Sequence, residues 1–133
     1  MTQFFYSDKI FDDIIILPEN EAHHILKVLR KNQEDTLIIV DGKGGWYETV
    51  LVTDEIQNCK LRIIEKKEKY GKPNHYIHIA IAPPKSHDRA DWFVEKCVEI
   101  GVQEISFVLT KNSERNNIKM NRIKKRAVSS MKQ

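Results

Sequence analysis

The stretch YIHIAIAPPKSHDRADWFVEKCVEIGVQEISFVL, residues 76–109, decides the fold. Its first part, Tyr76–Ala82, is a compact apolar run of strand length, and Pro83-Pro84-Lys85 ends it. Asp88 is placed to cap a helix running to Ile100, and Gly101 to close it. Ala90, Phe93, Val94, Cys97 and Val98 fall on one face of that helix. Glu104–Leu109 reads as a second strand. Strand, helix and strand in this order predict a βαβ unit and hence a parallel sheet. Ile118–Gln133 follows as a basic helix, with Ile123 and Val128 among its few apolar positions. Two strands and two helices cannot cover both faces of a parallel sheet. Residues 75–133 therefore read as the start of an α/β domain. The chain is expected to be part of a longer protein, or to obtain the missing half from another chain.

Upstream the pattern differs. Gln3–Tyr6 and Ile14–Leu17 are short strand candidates. Glu19 to Leu29 reads as a helix, with Ala22, Ile25, Leu26 and Leu29 at the spacing of one apolar face and Pro18 at its entry. Thr36–Val40 and Trp46–Val52 flank Asp41-Gly-Lys-Gly-Gly45, a hairpin signal. In Cys59–Glu65, Leu61 and Ile63 alternate with Lys60 and Arg62 as in a half-buried strand. Five short strands and one helix in residues 1–70 predict a small barrel. Within the polar run Lys66–Asn74, residues 71–74 are taken as the linker. The class is α+β overall, with domains at 1–70 and 75–133.

The 133 residues are 41% hydrophobic and 31% charged, a globular composition rather than a disordered one. No apolar run approaches the roughly 18 residues of a membrane span, and the N-terminus lacks a basic stretch followed by an apolar core. The two cysteines, Cys59 and Cys97, fit no zinc or redox spacing and read as reduced thiols of a cytoplasmic protein. Net charge is +3, unevenly spread. Residues 1–70 hold 10 Lys+Arg against 13 Asp+Glu, whereas 111–133 hold 8 against 1. Such a local excess attracts polyanions and makes binding sensitive to salt, although a solvated basic helix has the same composition.

Several patches bear on chemistry. His23 and His24 are adjacent, about 100° apart on a helix, and do not face one metal as an i, i+4 pair does. Lys27, Arg30 and Lys31 suit either the helix dipole or phosphate contact. Asp41–Gly45 lacks the Gly-Lys-Ser/Thr ending of a phosphate loop and reads as a turn. Of Trp46 and Tyr47, one is expected to face the core and either can stack on a base. Lys85 and Arg89 follow a strand end, where ligands bind in open α/β sheets. His87 and Asp88 are adjacent in sequence, which by itself fixes no acid–base geometry. Lys96 and Glu99 form an i, i+3 surface pair. Arg115, Lys119, Arg122, Lys124, Lys125 and Arg126 supply a basic surface. No nucleophile triad, metal cage or nucleotide fingerprint appears, and no catalytic base is identified.

The order of these patches resembles the RsmE family of 16S ribosomal RNA uridine-N3 methyltransferases. The resemblance runs through Phe4-Phe5-Tyr6, Glu21-Ala-His-His-Ile-Leu-Lys-Val-Leu-Arg30 and Asp41-Gly-Lys-Gly-Gly-Trp-Tyr47. It continues through Pro84-Lys85 with Arg89, Glu95-Lys-Cys-Val-Glu-Ile-Gly-Val102, and Thr110 with Ser113-Glu114-Arg115. Arg122 and Lys132-Gln133 complete it. Glu34-Asp35 stands where the family has Gly-Asp, Ile100 where Leu is usual, and Asn116 where Ser is frequent.

The resemblance implies a PUA-like RNA-binding barrel followed by an incomplete SPOUT domain of the trefoil-knot type, lacking its C-terminal knot. It implies S-adenosyl-L-methionine as methyl donor, no metal, 16S ribosomal RNA in the small ribosomal subunit as partner, and a homodimer. Transfer would be direct: uridine N3 loses its proton and takes the methyl group from the sulfonium. Arg30, Lys85, Arg89, Arg115 and Arg122 are the RNA-facing residues expected. The knot's Gly-Pro-Glu-Gly-Gly and Arg-x-x-x-x-Glu-Thr-Ala-like stretches do not occur here, so the cofactor site is expected outside these 133 residues. The alternative reading is a non-catalytic PUA-like RNA-binding module. A third is an interaction protein whose short sheet pairs with another chain.

Overall fold

A computed structural model describes residues 3–68, 74–111 and 118–132. The chain forms two compact units that divide between residues 71 and 72.

The first unit is built on β1 (Phe4–Tyr6), β2 (Lys9–Phe11), β3 (Ile14–Ile16), β4 (Thr36–Val40), β5 (Trp46–Leu51) and β6 (Lys60–Lys67). They form one six-stranded sheet in the order β1-β4-β5-β6-β3-β2. Only β1 and β4 run parallel; the other pairs are antiparallel. Side chains alternate as a two-residue period requires. Phe5, Ile15, Leu37, Ile39, Tyr47, Leu51 and Leu61 point inward and are buried together. The sheet curls until its ends meet at Ser7. The Ser7 N–H donates to the Val40 carbonyl at 3.2 Å, and its Oγ donates to the Ile16 carbonyl at 2.5 Å. Ser7 is fully buried, so both polar groups need these partners.

Among the described residues six strands stand where the sequence suggested five. The missed one is β2, whose Lys9-Ile-Phe11 is too short to display a period; it is recruited by antiparallel pairing with β3. The expected helix over Glu19–Leu29 also divides. α1 (Glu19–His23) is α-helical, and His24–Val28 widens into a π-type turn in which the Leu29 N–H reaches the His24 carbonyl. Ala22 and Ile25 still reach the core, while the wider turn leaves Val28 exposed. Arg30 ends the segment at φ 53°, in the left-handed region.

The hairpin between β4 and β5 is held by Asp41. Its Oδ1 accepts from the N–H groups of Lys43 and Gly45, both at 2.8 Å, and its Oδ2 accepts from the Tyr47 hydroxyl at 3.1 Å. Gly42 and Gly44 take positive φ. Gly45 has no room for a side chain: a Cβ there would overlap the Asp41 carboxylate and stand 2.7 Å from the Tyr47 hydroxyl. The glycines serve a turn, not a phosphate. Burial first, and then the charge of Asp41, push the Tyr47 phenol pKa up.

The second unit contains β7 (His78–Ile81), α2 (His87–Glu99), β8 (Glu104–Phe107) and α3 (Met120–Met131). β7 and β8 are parallel and in register, His78 opposite Glu104. The core joins Ala90 and Val94 of α2 to Ile123 of α3, with Phe93, Val98, Ile105, Phe107 and Ala127 packed around them. The N-cap of α2 is Ser86 rather than Asp88: its Oγ accepts from the Asp88 N–H at 3.2 Å. Asp88 lies instead in the first turn, where its charge complements the helix dipole. Gly101 closes the helix at φ 88° as its position suggested.

Candidate nucleic-acid interface

α3 is amphipathic in a particular way. Ile123, Ala127 and Ser130 follow one another at i, i+4 and i+7 and turn toward α2. The remaining surface is basic. Lys119, Arg122, Lys125 and Arg126, with Asn121 and Ser129, line an open groove of about 770 Å³ whose floor includes Asp91.

Asp91 organises this groove. It lies on α2, and its side chain is only 7% exposed. Its Oδ2 accepts from Arg122 twice, from Nε at 2.9 Å and Nη2 at 2.5 Å. Arg122 Nη2 also reaches Asp88 Oδ1 at 3.2 Å, and Arg126 Nη2 stands 3.8 Å from Asp91 Oδ2. Hydrogen bonds donated to Asp91, reinforced by its charge and by Asp88, raise the Arg122 pKa further and keep the guanidinium charged. Among the described residues nothing donates to the buried Asp91 Oδ1. The two arginines are thus anchored from below, while Lys119 and Lys125 carry no carboxylate partner among the described residues.

The residues expected to face RNA are placed as follows. Lys85 and Arg89 are exposed at the start of α2. Arg122 lies in the groove, but its fork is occupied by Asp91 and Asp88. Arg30 is exposed in the first unit. Arg115 lies outside the described residues, as do Ser113 and Glu114. Asp91 was missed. Its signal was present: Asp88 and Asp91 are three residues apart and so share a helix face, ready for a cation from a neighbouring helix.

Other chemistry finds less support. His24 packs near Phe5, with ring centroids 6.3 Å apart, and no three His, Cys, Asp or Glu among the described residues are placed to hold a metal ion. Asp88 is paired with Arg122. Lys96 and Glu99 form the expected ion pair at 3.2 Å. Cys59 and Cys97 are buried free thiols. Burial, with the Asp54 charge, pushes Cys59 up to about 11, and burial also raises Cys97. Neither is a poised nucleophile. On the open face of the two-stranded sheet, Tyr76 donates to Glu104 and His78 meets Ser106 at 2.7 Å, a cross-strand polar row.

Comparison with known proteins now decides the family. A family model described as an RNA methyltransferase PUA domain matches residues 17–64, and one described as an RNA methyltransferase domain matches residues 71–133. The chain belongs to an RNA methyltransferase family. A solved structure described as a probable rRNA methyltransferase from Porphyromonas gingivalis is 39% identical, with a TM-score of 0.87 over 98% of this chain and 54% of that one. A protein from Thermotoga maritima described as a predicted RNA methyltransferase is 28% identical, with a TM-score of 0.83 over 98% of this chain and 59% of that one. Ribosomal RNA small subunit methyltransferase E from Neisseria gonorrhoeae, solved with S-adenosyl methionine, is 23% identical, with a TM-score of 0.79 over 99% of this chain and 56% of its own. This RNA methyltransferase family chain therefore spans little more than half the length of these relatives. Its first unit is the PUA-like half-barrel, and its second is the start of the SPOUT domain.

The described residues do not fit the methyl donor. Its sulfonium is cationic, and the principal groove is walled by four cations. A hollow of about 440 Å³ beside Val98, Glu99, Ser130 and Met131 has no aromatic lining for an adenine. No helix among the described residues is long and apolar enough to cross a membrane.

Proposed function

We propose that this chain is the RNA-holding portion of an S-adenosylmethionine-dependent methyltransferase that methylates N3 of a uridine in 16S ribosomal RNA. Its domains are 1–70 and 75–133, and the complete protein works as a cytoplasmic homodimer on the small ribosomal subunit. The observation that carries the reading is the α3 groove, where Lys119 and Lys125, with no carboxylate partner among the described residues, stand beside two arginines paired with Asp91. Such a groove gathers phosphates, and carboxylates under the arginines hold their positions before RNA arrives. Lys85 and Arg89 extend the basic surface at the start of α2.

The relatives' descriptions as RNA methyltransferases support the reaction class, and the one solved with S-adenosyl methionine supports the donor. The test is to delete the complete gene and digest 16S RNA to nucleosides for mass spectrometry. Loss of N3-methyluridine is expected; an unchanged level overturns the reading.

The cationic groove also favours a second reading for the chain by itself, an RNA-binding module without chemistry. Purified chain with S-adenosyl methionine and small subunits from the deletion strain separates the two. Binding without methyl incorporation supports the second, and incorporation rejects it.

A further inference from the structure

The outer face of the first unit carries a surface that the α3 groove does not use. Cross-strand register defines it. Phe11 on β2 pairs with Ile14 on β3, which pairs with Arg62 on β6. Lys9, Ile16 and Lys60 form the adjoining row in the same way. The intervening residues Ile10, Ile15 and Leu61 turn to the core, so these two rows point outward. Phe11 is 58% exposed, on a strand at the sheet's edge, and Lys9 and Arg62 are exposed beside it.

We propose that these two rows hold an unpaired stretch of RNA, with a base stacked on Phe11 and phosphates on Lys9, Lys60 and Arg62. The proposal rests on the RNA reading above and adds a second contact to it. None of the three cations is in an ion pair with a described residue, and neither row contains an acid. Asp12 and Asp13, in the turn after Phe11, bound the patch at one end and repel phosphate there. Lys60 and Arg62 are two residues apart on one strand, roughly 6.8 Å, so they can meet separate phosphates of an extended chain. The half-buried Ile14 and Ile16 offer an apolar bed between the cations. The chemistry selects a single strand: in a duplex the base faces are already stacked, and only an unpaired base can lie on Phe11.

Fluorescence anisotropy on the intact chain tests this, using a labelled single-stranded RNA of mixed sequence and the same RNA annealed to its complement. Phe11→Ala is expected to weaken single-strand binding about 10-fold and to leave duplex binding unchanged, while Phe11→Tyr binds as the parent does. Arg62→Gln is expected to lower the salt slope for the single strand by about 0.7. It also keeps the test decisive should Phe11→Ala fail to fold. If both variants bind the single strand like the parent, this surface is overturned while the α3 groove stands. If the parent binds neither RNA at low salt, the RNA reading falls with it.

Discussion

Arg122 reaches one oxygen of Asp91 with two nitrogens, Nε at 2.9 Å and Nη2 at 2.5 Å, and so ties α3 to α2. The carboxylate is nearly buried and its second oxygen has no partner among the described residues. Removing the guanidinium leaves a buried charge with only Arg126 beside it among the described residues. Arg122→Ala is expected to destabilise the second unit, and adding Asp91→Ala to recover part of that loss. Urea denaturation followed by hydrogen exchange in α2 and α3 measures both. Equal stability of Arg122→Ala and the parent would mean that the pair contributes nothing.

Lys125 lines the same groove with no such anchor among the described residues. Lys125→Ala is expected to leave stability within about 0.5 kcal/mol of the parent. It should also lower the salt slope of RNA binding by about 0.7. Titrations at several salt concentrations check this; an unchanged slope would remove Lys125 from the interface.

Gly45 faces the Asp41 carboxylate and the Tyr47 hydroxyl, with no space for a methyl group. Gly45→Ala is expected to cost about 1–3 kcal/mol through overpacking. Tyr47→Phe, which removes only the hydrogen bond to Asp41, is expected to cost about 1 kcal/mol. Thermal unfolding of the two variants ranks them, and the reverse order would contradict the hairpin geometry.

Cys59 has its pKa pushed up from 9.0 to about 11, chiefly by burial. Its thiol also donates to the Thr53 carbonyl at 3.5 Å, which favours the protonated form. Folding therefore retains a proton that the unfolded chain releases at about pH 9. Stability from this group is intact below pH 9 and falls as pH rises toward 11, by an amount on the order of 2 kcal/mol. Urea midpoints of the parent and Cys59→Ala from pH 8 to 11 isolate the effect. A parent curve parallel to that of Cys59→Ala would refute it.

Ser86, not Asp88, caps α2 through its side chain. Ser86→Ala is expected to cost about 1 kcal/mol. Circular dichroism during denaturation measures it, and no loss would return the cap to another residue.

Much of the fold was legible because its strands and helices display their periods. Leu61 and Ile63 against Lys60 and Arg62 gave β6, and the stripe from Ala90 to Val98 gave α2. β2 was not legible, since three residues carry no period and its partner is chosen by pairing. The π-type turn at His24–Val28 keeps the same apolar residues inward, so the α-helical pattern conceals it. For the interface, the cations of α3 were visible as composition, whereas the role of Asp91 depends on two helices meeting. Arg122 was recognised as basic, but which anion occupies it is a matter of tertiary geometry.

Ser7 joins β4 to β3 through its own backbone and side chain, beside the strands β1 and β2 that border the sheet. Unpaired strand borders invite a neighbouring chain to add on. One buried hydroxyl thus bears on colloidal behaviour as well as on folding. Without it the strap between Tyr6 and Lys9 loses its hold on Ile16, and the half-barrel offers other molecules a template for self-association.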